Sequence, residues 1–213
     1  MNSLNTQQTC EMFCYVGEKI IESKPLLTEI DSVIGDGDHG IGMSIGFNTA
    51  IQKLGEKQIA NINDLFKIIG MSMINSMGGA SGVIFGTMFM GGVKGLPPIE
   101  ELNLYHLTTI LDQSLKAVKQ RGRASLGDKT MIDALEPAVL SLQEQASSSK
   151  SLLDGLKAAE EAARAGVEKT KNYVSRFGRS KTLGERAIGY QDAGATSVWI
   201  IFRSMREWVE INQ

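Results

Sequence analysis

The stretch Asp31-Ser-Val-Ile-Gly-Asp-Gly-Asp-His-Gly40 brings together three carboxylates, those of Asp31, Asp36 and Asp38. Three glycines alternate with them, and each would cost about 1 kcal/mol relative to alanine inside a helix. Glycine and aspartate are also depleted in strands. We therefore predict that this acidic stretch (residues 31–40) is a tight loop. Its density of negative charge favours a hard divalent cation, which prefers oxygen ligands.

Two known motifs match parts of the acidic stretch in letters only. Residues 35–40 have the form G-x-G-x-x-G, but a dinucleotide fingerprint needs a preceding strand and backbone N–H groups that are free for a pyrophosphate. An EF-hand loop starting at Asp36 would need Gly and Glu where Ile41 and Phe47 stand. The remaining alternative to a metal site is a solvated acidic turn, in which Asp38 caps the helix that follows.

The composition is that of an ordinary globular domain, and we expect residues 1–213 to form one. The 213 residues are 42% hydrophobic and 22% charged, and the net charge of −2 with scattered basic residues argues against nucleic-acid binding. Cys10 and Cys14 are expected to be small buried side chains in a reducing compartment. The N-terminal residues are too polar for a signal peptide, and no apolar run approaches a membrane span of roughly 20 residues. We therefore expect a cytoplasmic protein.

Apolar residues recur at helical spacing through most of the chain, whereas the alternation typical of strands is hard to find. One such stripe consists of Leu104, Leu107, Leu111, Leu115 and Val118. Pro137 lies inside a helical segment, which we expect to be kinked or to restart there. The predicted fold is all-α, an antiparallel up-and-down bundle of eight helices with short connections. The helices are predicted near residues 4–23, 40–56, 62–77, 81–95, 103–121, 130–146, 150–174 and 195–211.

Three connectors besides the acidic stretch differ from ordinary loops. The glycine turn (residues 78–82) is either an anion-binding helix N-terminus or a tight turn between packed helices. The central loop (residues 122–130) nearly spells a P-loop, but Asp128 stands where lysine is required and no strand precedes it, so a helix cap is favoured. The arm (residues 178–194) is long, basic and rich in glycine, which indicates a function. Its Arg179 suits bidentate phosphate binding, whereas Arg186 suits a ligand or a local ion pair equally.

The order of these connectors predicts where they lie. In an up-and-down bundle, successive connectors alternate between the two ends. The acidic stretch, glycine turn, central loop and arm follow the first, third, fifth and seventh predicted helices, so they share one end. The other end receives bland connectors such as Pro97-Pro98 and the serine-rich linker at residues 145–150. We therefore predict that one end of the bundle binds a metal and a phosphate-bearing ligand.

These four segments together resemble the L subunit of dihydroxyacetone kinases, which also occurs as the nucleotide domain of single-chain kinases. The resemblance extends in order over almost the whole chain. It implies an eight-helix barrel with ADP or ATP at one end, bound through two Mg²⁺ ions. The matching motifs are Gly-Asp-Gly-Asp-His-Gly at 35–40, Gly-Gly-Ala-Ser-Gly at 78–82, Gly-Asp-Lys-Thr-Met at 127–131, Leu-Gly-Glu-Arg-Ala-Ile-Gly at 183–189 and Asp-Ala-Gly at 192–194.

The resemblance also implies roles for individual residues. Asp31, Asp36 and Asp38 correspond to the Mg²⁺ ligands. Arg179 corresponds to a catalytic residue that offsets the charge developing on the transferred phosphoryl group. The implied nucleotide contacts are His39, Gly40, Ile41, Gly42, Ala80, Ser81, Gly122, Met131, Arg179, Asp192, Ala193 and Gly194.

The function implied is that of a phosphotransferase subunit. It would pass a phosphoryl group from Mg²⁺-bound nucleotide to dihydroxyacetone or a related short ketose, which a separate K subunit holds through a histidine. A phospho-histidine protein of the phosphotransferase system would recharge the nucleotide, and the subunit is a possible homodimer. The only other histidine, His106, lies on a helix face, so the chain has no ketose site of its own and is expected to be half of a kinase.

Departures from the family pattern leave the phosphoryl donor open. Residues 40–46 read Gly-Ile-Gly-Met-Ser-Ile-Gly, whereas phosphotransferase-system members continue Gly-x-Asn-Met-x-Arg-Gly, and Val83 and Ala193 replace frequent prolines. An ATP-dependent triose or tetrulose kinase subunit is therefore the main alternative. Two other classes are a metal-dependent phosphohydrolase with His39 as its base, and a non-catalytic regulator that binds nucleotide or binds a partner through the end that carries these loops.

Overall fold

The computed structural model describes residues 2–56 and 58–213, and this part of the chain is all-α in class, as predicted. A 3-10 helix, Arg179–Ala187, lies in the arm, and two short strands, β1 Ser3–Asn5 and β2 Glu101–Asn103, pair with each other. The α-helices are α1 Thr6–Glu22, α2 Lys24–Ile34, α3 His39–Gly55, α4 Ile62–Ser76, α5 Gly79–Gly92, α6 Leu104–Gly122, α7 Ile132–Ser147, α8 Leu152–Thr170 and α9 Ala193–Ile211.

Eight of these helices form a closed ring. From α3 to α9 each helix packs against the next one in the chain, and α1 closes the ring by packing against both α3 and α9. Aromatic side chains fill part of the interior, where Phe13 meets Phe66 and Phe89 edge to face with ring centroids 5.1 and 6.0 Å apart. The ring confirms the predicted eight-helix barrel, and its helix ends fall within four residues of the predicted ones.

Helix α2 is not a member of this ring, and the sequence analysis did not predict it. It packs mainly on α3. Pro25 lies in its first turn, where the missing N–H has no helical partner to lose, and Leu27 and Ile34 are buried. The expectation that the whole acidic stretch is a loop is therefore wrong for residues 31–34, with Asp31 in the last turn of α2, and for His39 and Gly40, which begin α3. Only residues 35–38, which contain Gly35 and Gly37, form the predicted turn.

The two strands connect opposite sides of the ring. β1 and β2 pair antiparallel, with the fully buried Leu4 and Leu102 opposite each other. Each strand ends in an asparagine that caps the following helix: the Asn5 side chain accepts a hydrogen bond from Gln8 N, and that of Asn103 from His106 N, both at 2.8 Å. The ladder thus joins the start of α1 to the start of α6. Three residues are too few to produce a recognisable alternation in sequence.

Helices α7 and α8 approach each other closely where α7 contains a proline. Helix α7 continues from Ile132 to Ser147 and does not restart at Pro137. Because proline has no N–H, the carbonyl of Asp133, four residues earlier, lacks its helical donor. Gly166 of α8 lies against this carbonyl, and a side chain there would collide with it. The two helices therefore meet through backbone, and only glycine fits.

Cys10 and Cys14 are free thiols that are partly buried against the hydrophobic core. Among the described residues, no helix has both the length and the apolar character that crossing a bilayer requires.

We expect Gly166→Ala to lower the free energy of unfolding by about 1–3 kcal/mol, the usual cost of overpacking. The matched control is Gly55→Ala at the end of α3, where no described atom lies within 4 Å of the added methyl group. That change should be neutral or slightly stabilising, since alanine is the better helix former. Urea denaturation measures both. Equal stability of the two variants would contradict the close α7–α8 contact.

Candidate functional site

The four unusual connectors meet around one open cavity of about 790 Å³ at one end of the ring. This confirms the prediction that the four connectors share one end of the bundle. Apolar side chains, among them Ile84, Val118 and Phe177, form part of its wall. The predicted site residues that line the cavity are Asp31, Asp36, Asp38, His39, Ile41, Gly42, Ala80, Ser81, Gly122, Met131, Arg179, Asp192, Ala193 and Gly194.

Gly40 is the one predicted site residue that does not line the cavity. It faces helix α2, where a Cβ atom would collide with the Thr28 side chain and lie 2.5 Å from the carbonyl oxygen of Lys24. Its glycine is therefore required for the packing of α3 against α2. That packing places the first turn of α3, and with it the end of the acidic stretch, at the cavity.

The three carboxylates of the acidic stretch lie together although they come from different local structures. Asp31 ends α2, whereas Asp36 and Asp38 lie in the turn before α3, where Gly37 has a φ of +74°. One oxygen from each carboxylate falls within 4.8 Å of the others. Asp31 also accepts a hydrogen bond from His39 N at 3.2 Å. Asp38 occupies the N-cap position of α3, but its side chain makes no capping hydrogen bond.

The carboxylates of the acidic stretch are not electrically balanced by their own segment. Partial desolvation and the negative charges of Asp36 and Asp31 raise the pKa of the Asp38 carboxyl. The nearest cation comes from the arm, where Arg179 Nε lies 2.8 Å from Asp36 Oδ2. The Arg179 side chain is 79% exposed, so this ion pair contributes little to stability. The cluster therefore has the oxygen donors and the excess negative charge that suit a divalent cation.

His39 points into the protein and not toward solvent. Its ring is buried, lies 5.9 Å from the Phe85 ring, and its Nε2 is 2.8 Å from Ser197 Oγ. Ser197 Oγ in turn donates to the carbonyl of Ala193 at 3.1 Å. Burial lowers the pKa of His39, which favours the neutral imidazole. The residue thus connects the start of α3 to α9, an arrangement that favours a positioning role over the base of a hydrolase.

The central loop is organised by a residue that the sequence analysis missed. The buried Asp133, in the first turn of α7, accepts hydrogen bonds from Gly127 N at 2.5 Å and Thr130 N at 2.7 Å. Thr130 Oγ1 accepts from Ile132 N at 3.2 Å, although the N-cap position of α7 is Met131, whose side chain makes no capping hydrogen bond. An aspartate just after a glycine-containing loop is a recognisable N-terminal signal and was available in the sequence.

A buried lysine, Lys129, was also missed. It is 1% exposed, lines the cavity and adopts a left-handed backbone conformation with φ of +60°. It lies within the matched motif at residues 127–131, but its burial beside the site follows from tertiary contacts that the motif does not indicate. In the arm, Arg186 makes no ion pair with Glu185 or Asp192 among the described contacts, and it does not line the cavity.

Asp192 begins the last helix and faces the same cavity. Its Oδ2 accepts a hydrogen bond from Ala195 N at 2.7 Å, so it caps α9. Burial raises the pKa of Asp192 to about 7, an effect that the Ala195 hydrogen bond and the nearby charge of Lys129 only partly oppose. The folded protein thus binds this proton more tightly than the unfolded chain does.

Because the pKa of Asp192 is higher in the folded state, its contribution to stability should be lost as pH rises from about 4 to about 7. Asp192→Asn keeps an oxygen for Ala195 N–H but cannot titrate. Urea denaturation at pH 5 and pH 7.5, with chelator present, measures this contribution. We expect wild type to lose more stability than the variant between the two pH values. An identical loss in both proteins would show that Asp192 does not titrate in this range.

Comparison with known proteins places this arrangement in a family. Residues 33–207 match the DAK2 domain. The ADP-binding subunit of PEP-dependent dihydroxyacetone kinase 1 from Listeria innocua is 38% identical over 189 residues, which cover 89% of each chain. The corresponding subunit from Escherichia coli is 35% identical and covers 95% of this chain and 97% of its own.

A solved structure agrees in fold. The dihydroxyacetone kinase of C. freundii in complex with AMP-PNP and Mg²⁺ superposes with a TM-score of 0.72 and 29% identity over 97% of this chain. The chain spans about a third of that kinase, 34% of its length. The resemblance inferred from the four segments is thereby confirmed, and the chain belongs to the DAK2 domain family.

Proposed function

We propose that this chain is the nucleotide-binding subunit of a dihydroxyacetone kinase and that residues 1–213 act as one domain. The observation that carries the proposal is that the acidic cluster (Asp31, Asp36 and Asp38), the glycine turn and the long basic arm meet around one cavity. Phosphoryl transfer needs positioning and charge neutralisation more than covalent help from the protein, and these elements supply both.

The acidic cluster fits Mg²⁺. Asp31, Asp36 and Asp38 offer hard oxygen donors within 4.8 Å of one another, and three carboxylates provide enough oxygens for two ions. When bound, Mg²⁺ neutralises charge on the phosphate oxygens of the nucleotide. The carboxylates themselves hold the cation in place, and Asp31 does so while its other contact, with His39 N, orders the turn into α3.

The glycine turn and the start of α3 suit the phosphates. Gly78 and Gly79 have φ values of +70° and +60°, no described atom lies within 4 Å of where their Cβ atoms would be, and α5 has no side-chain cap. The first N–H groups of α5, including those of Ala80 and Ser81, are therefore open to an anion. Ile41 and Gly42, in the first turn of α3, line the same part of the cavity.

Another part of the cavity wall suits the flat ring of a nucleotide base. A Cβ atom added to Gly122 would lie 3.4 Å from the Ile84 side chain, and one added to Gly194 would lie 3.5 Å from Met131. Small backbone-lined surfaces next to apolar side chains let a planar ring approach closely. We assign Gly122, Met131, Ala193 and Gly194 to this face, with Asp192 holding the start of α9 beside it.

Arg179 completes the site from the arm. It pairs with Asp36, and its exposure leaves the guanidinium free to turn to a phosphate. We propose that Arg179 is the catalytic residue of this chain and stabilises the charge that develops as the phosphoryl group leaves. Pairing with Asp36 keeps it close to the carboxylates that would bind the metal.

The wider proposal concerns the partners. The names of both bacterial relatives describe PEP-dependent kinases, which supports a bound ADP that a phospho-histidine protein converts to ATP in place. The phosphoryl group would then pass to a hydroxyl of dihydroxyacetone on a separate K subunit. A cytoplasmic location and a homodimer belong to the same proposal. The alternative is direct use of ATP, which the complex of the single-chain kinase with AMP-PNP favours.

Asp36→Asn and Asp38→Asn should each weaken Mg²⁺-dependent ADP binding by roughly 100-fold or more. Loss of a residue that only supports a metal ligand already costs about 10–100-fold, and here a direct ligand is lost. Isothermal calorimetry with and without Mg²⁺ measures the affinity. Glu144→Gln, an exposed carboxylate near the far end of α7, is the matched control and should bind as wild type does. Unchanged ADP affinity in both aspartate variants would refute the proposed Mg²⁺ site.

Denaturation of the purified protein should release about one ADP per chain, as a bound coenzyme requires. A native sample of the same preparation should phosphorylate dihydroxyacetone when the K subunit, the phosphotransferase-system proteins and phosphoenolpyruvate are added. An empty site that binds and consumes added ATP with Mg²⁺ would establish the ATP-dependent alternative. If neither nucleotide binds with Mg²⁺ present, the proposed function is wrong and a regulator remains.

A further inference from the structure

The far end of the arm is tied to the end of helix α8 through a single buried side chain. Lys129 Nζ donates one hydrogen bond to the carbonyl of Thr170 at 2.6 Å and another to the carbonyl of Tyr190. Thr170 also accepts, through its hydroxyl, a hydrogen bond from Asp192 N at 3.0 Å. Lys129 therefore closes a loop of chain that leaves the ring at Thr170 and returns to it at Asp192.

The near end of the same segment contacts the neighbouring residue of the central loop. Arg176 N donates to the carbonyl of Asp128 at 3.2 Å, and its Nε lies 3.5 Å from Asp128 Oδ1. Two consecutive residues, Asp128 and Lys129, thus hold both ends of the segment that carries Arg179. Between those ends, the contacts of the arm with the site include the Arg179–Asp36 ion pair.

The central loop is itself held firmly enough to serve as this support. Asp133 accepts hydrogen bonds from Gly127 N and Thr130 N, on either side of Lys129. Lys129 keeps a left-handed backbone conformation, which is uncommon for a residue with a side chain and persists only where its surroundings hold it. This conformation directs a long side chain with several N–H donors toward the two carbonyls.

We propose that Lys129 is a positioning residue that holds the arm, and with it Arg179, beside the carboxylates of the acidic cluster. The inference rests on the proposed function, because it assigns a consequence to where Arg179 lies. It does not make Lys129 a contact of the nucleotide. Removing its head group leaves the Tyr190 carbonyl without this donor and the Thr170 carbonyl with the Tyr173 N–H, at 3.1 Å, in its place. The arm then loses the closure at its far end, while the ring of helices keeps its own contacts.

Two variants separate the head group from the backbone effect. Lys129→Met removes both donated hydrogen bonds, and Lys129→Gln retains a neutral donor for one carbonyl. Both side chains must adopt the same left-handed backbone, so a difference between them reports on the head group alone. Lys169→Met is the matched control, since it removes an exposed positive charge one residue before Thr170.

Amide hydrogen exchange of the ligand-free proteins tests the positioning directly. The amides of Gly189, bonded to the Lys171 carbonyl at 2.7 Å, and Asp192 report on the far end of the arm. We expect them to exchange about tenfold faster or more in Lys129→Met, less so in Lys129→Gln, and at the wild-type rate in Lys169→Met. Amides of α4 should be unchanged in every variant that folds.

Calorimetric binding of ADP with Mg²⁺ then tests the functional consequence. We expect the dissociation constant to rise about tenfold in Lys129→Met and less in Lys129→Gln, in parallel with exchange in the arm. Unchanged exchange in the arm would overturn the proposal, and so would faster exchange with unchanged affinity. A general rise that includes α4 in both variants would show a purely structural role and would also overturn it. Failure of the wild type to bind ADP would refute the proposed function, whereas the exchange result would stand independently.

Discussion

The repulsion among three carboxylates is the constraint around which this end of the molecule is built. Asp31, Asp36 and Asp38 bring like charges within 4.8 Å, and the adjacent turn contributes no cation. Such an arrangement survives only on a support whose stability comes from elsewhere. The closed ring of eight helices, with its apolar and aromatic interior, provides that support. The arm then brings Arg179 to Asp36, and a divalent cation completes the neutralisation in the proposed function.

Much of the fold was predictable because two simple signals agree. Apolar residues at helical spacing locate the ring helices to within four residues, and the order of the unusual connectors places them at one end. Helix α2 was missed although the glycines of the turn at residues 35–38 do not exclude a helix at Asp31, four residues before Gly35. Its own signals, Pro25 in the first turn and apolar residues at helical spacing, were present in the sequence.

The candidate site was predictable where chemistry is concentrated in short motifs and less so where tertiary contacts decide. Nearly every residue taken from the motifs lines the cavity, and Gly40 differs because its glycine is needed for packing against α2. Lys129 belongs to the matched motif at residues 127–131, but the motif does not indicate what its side chain contacts. Its importance comes from two carbonyls that are 41 and 61 residues away along the chain. Pairings at such separations become visible only after the ring has brought α7, α8 and α9 together.

The short strand ladder has a mechanical consequence for the site. It joins the starts of α1 and α6, and these helices occupy opposite positions in the ring of eight. Both helices run from the ladder to the cavity end, and α1 alone, with 17 residues, is roughly 25 Å long at 1.5 Å per residue. The ladder therefore acts as a strut across the diameter of the barrel at its far end. It restrains the separation of α1 and α6 at that end, whereas no strand of the described residues restrains the helix ends around the cavity.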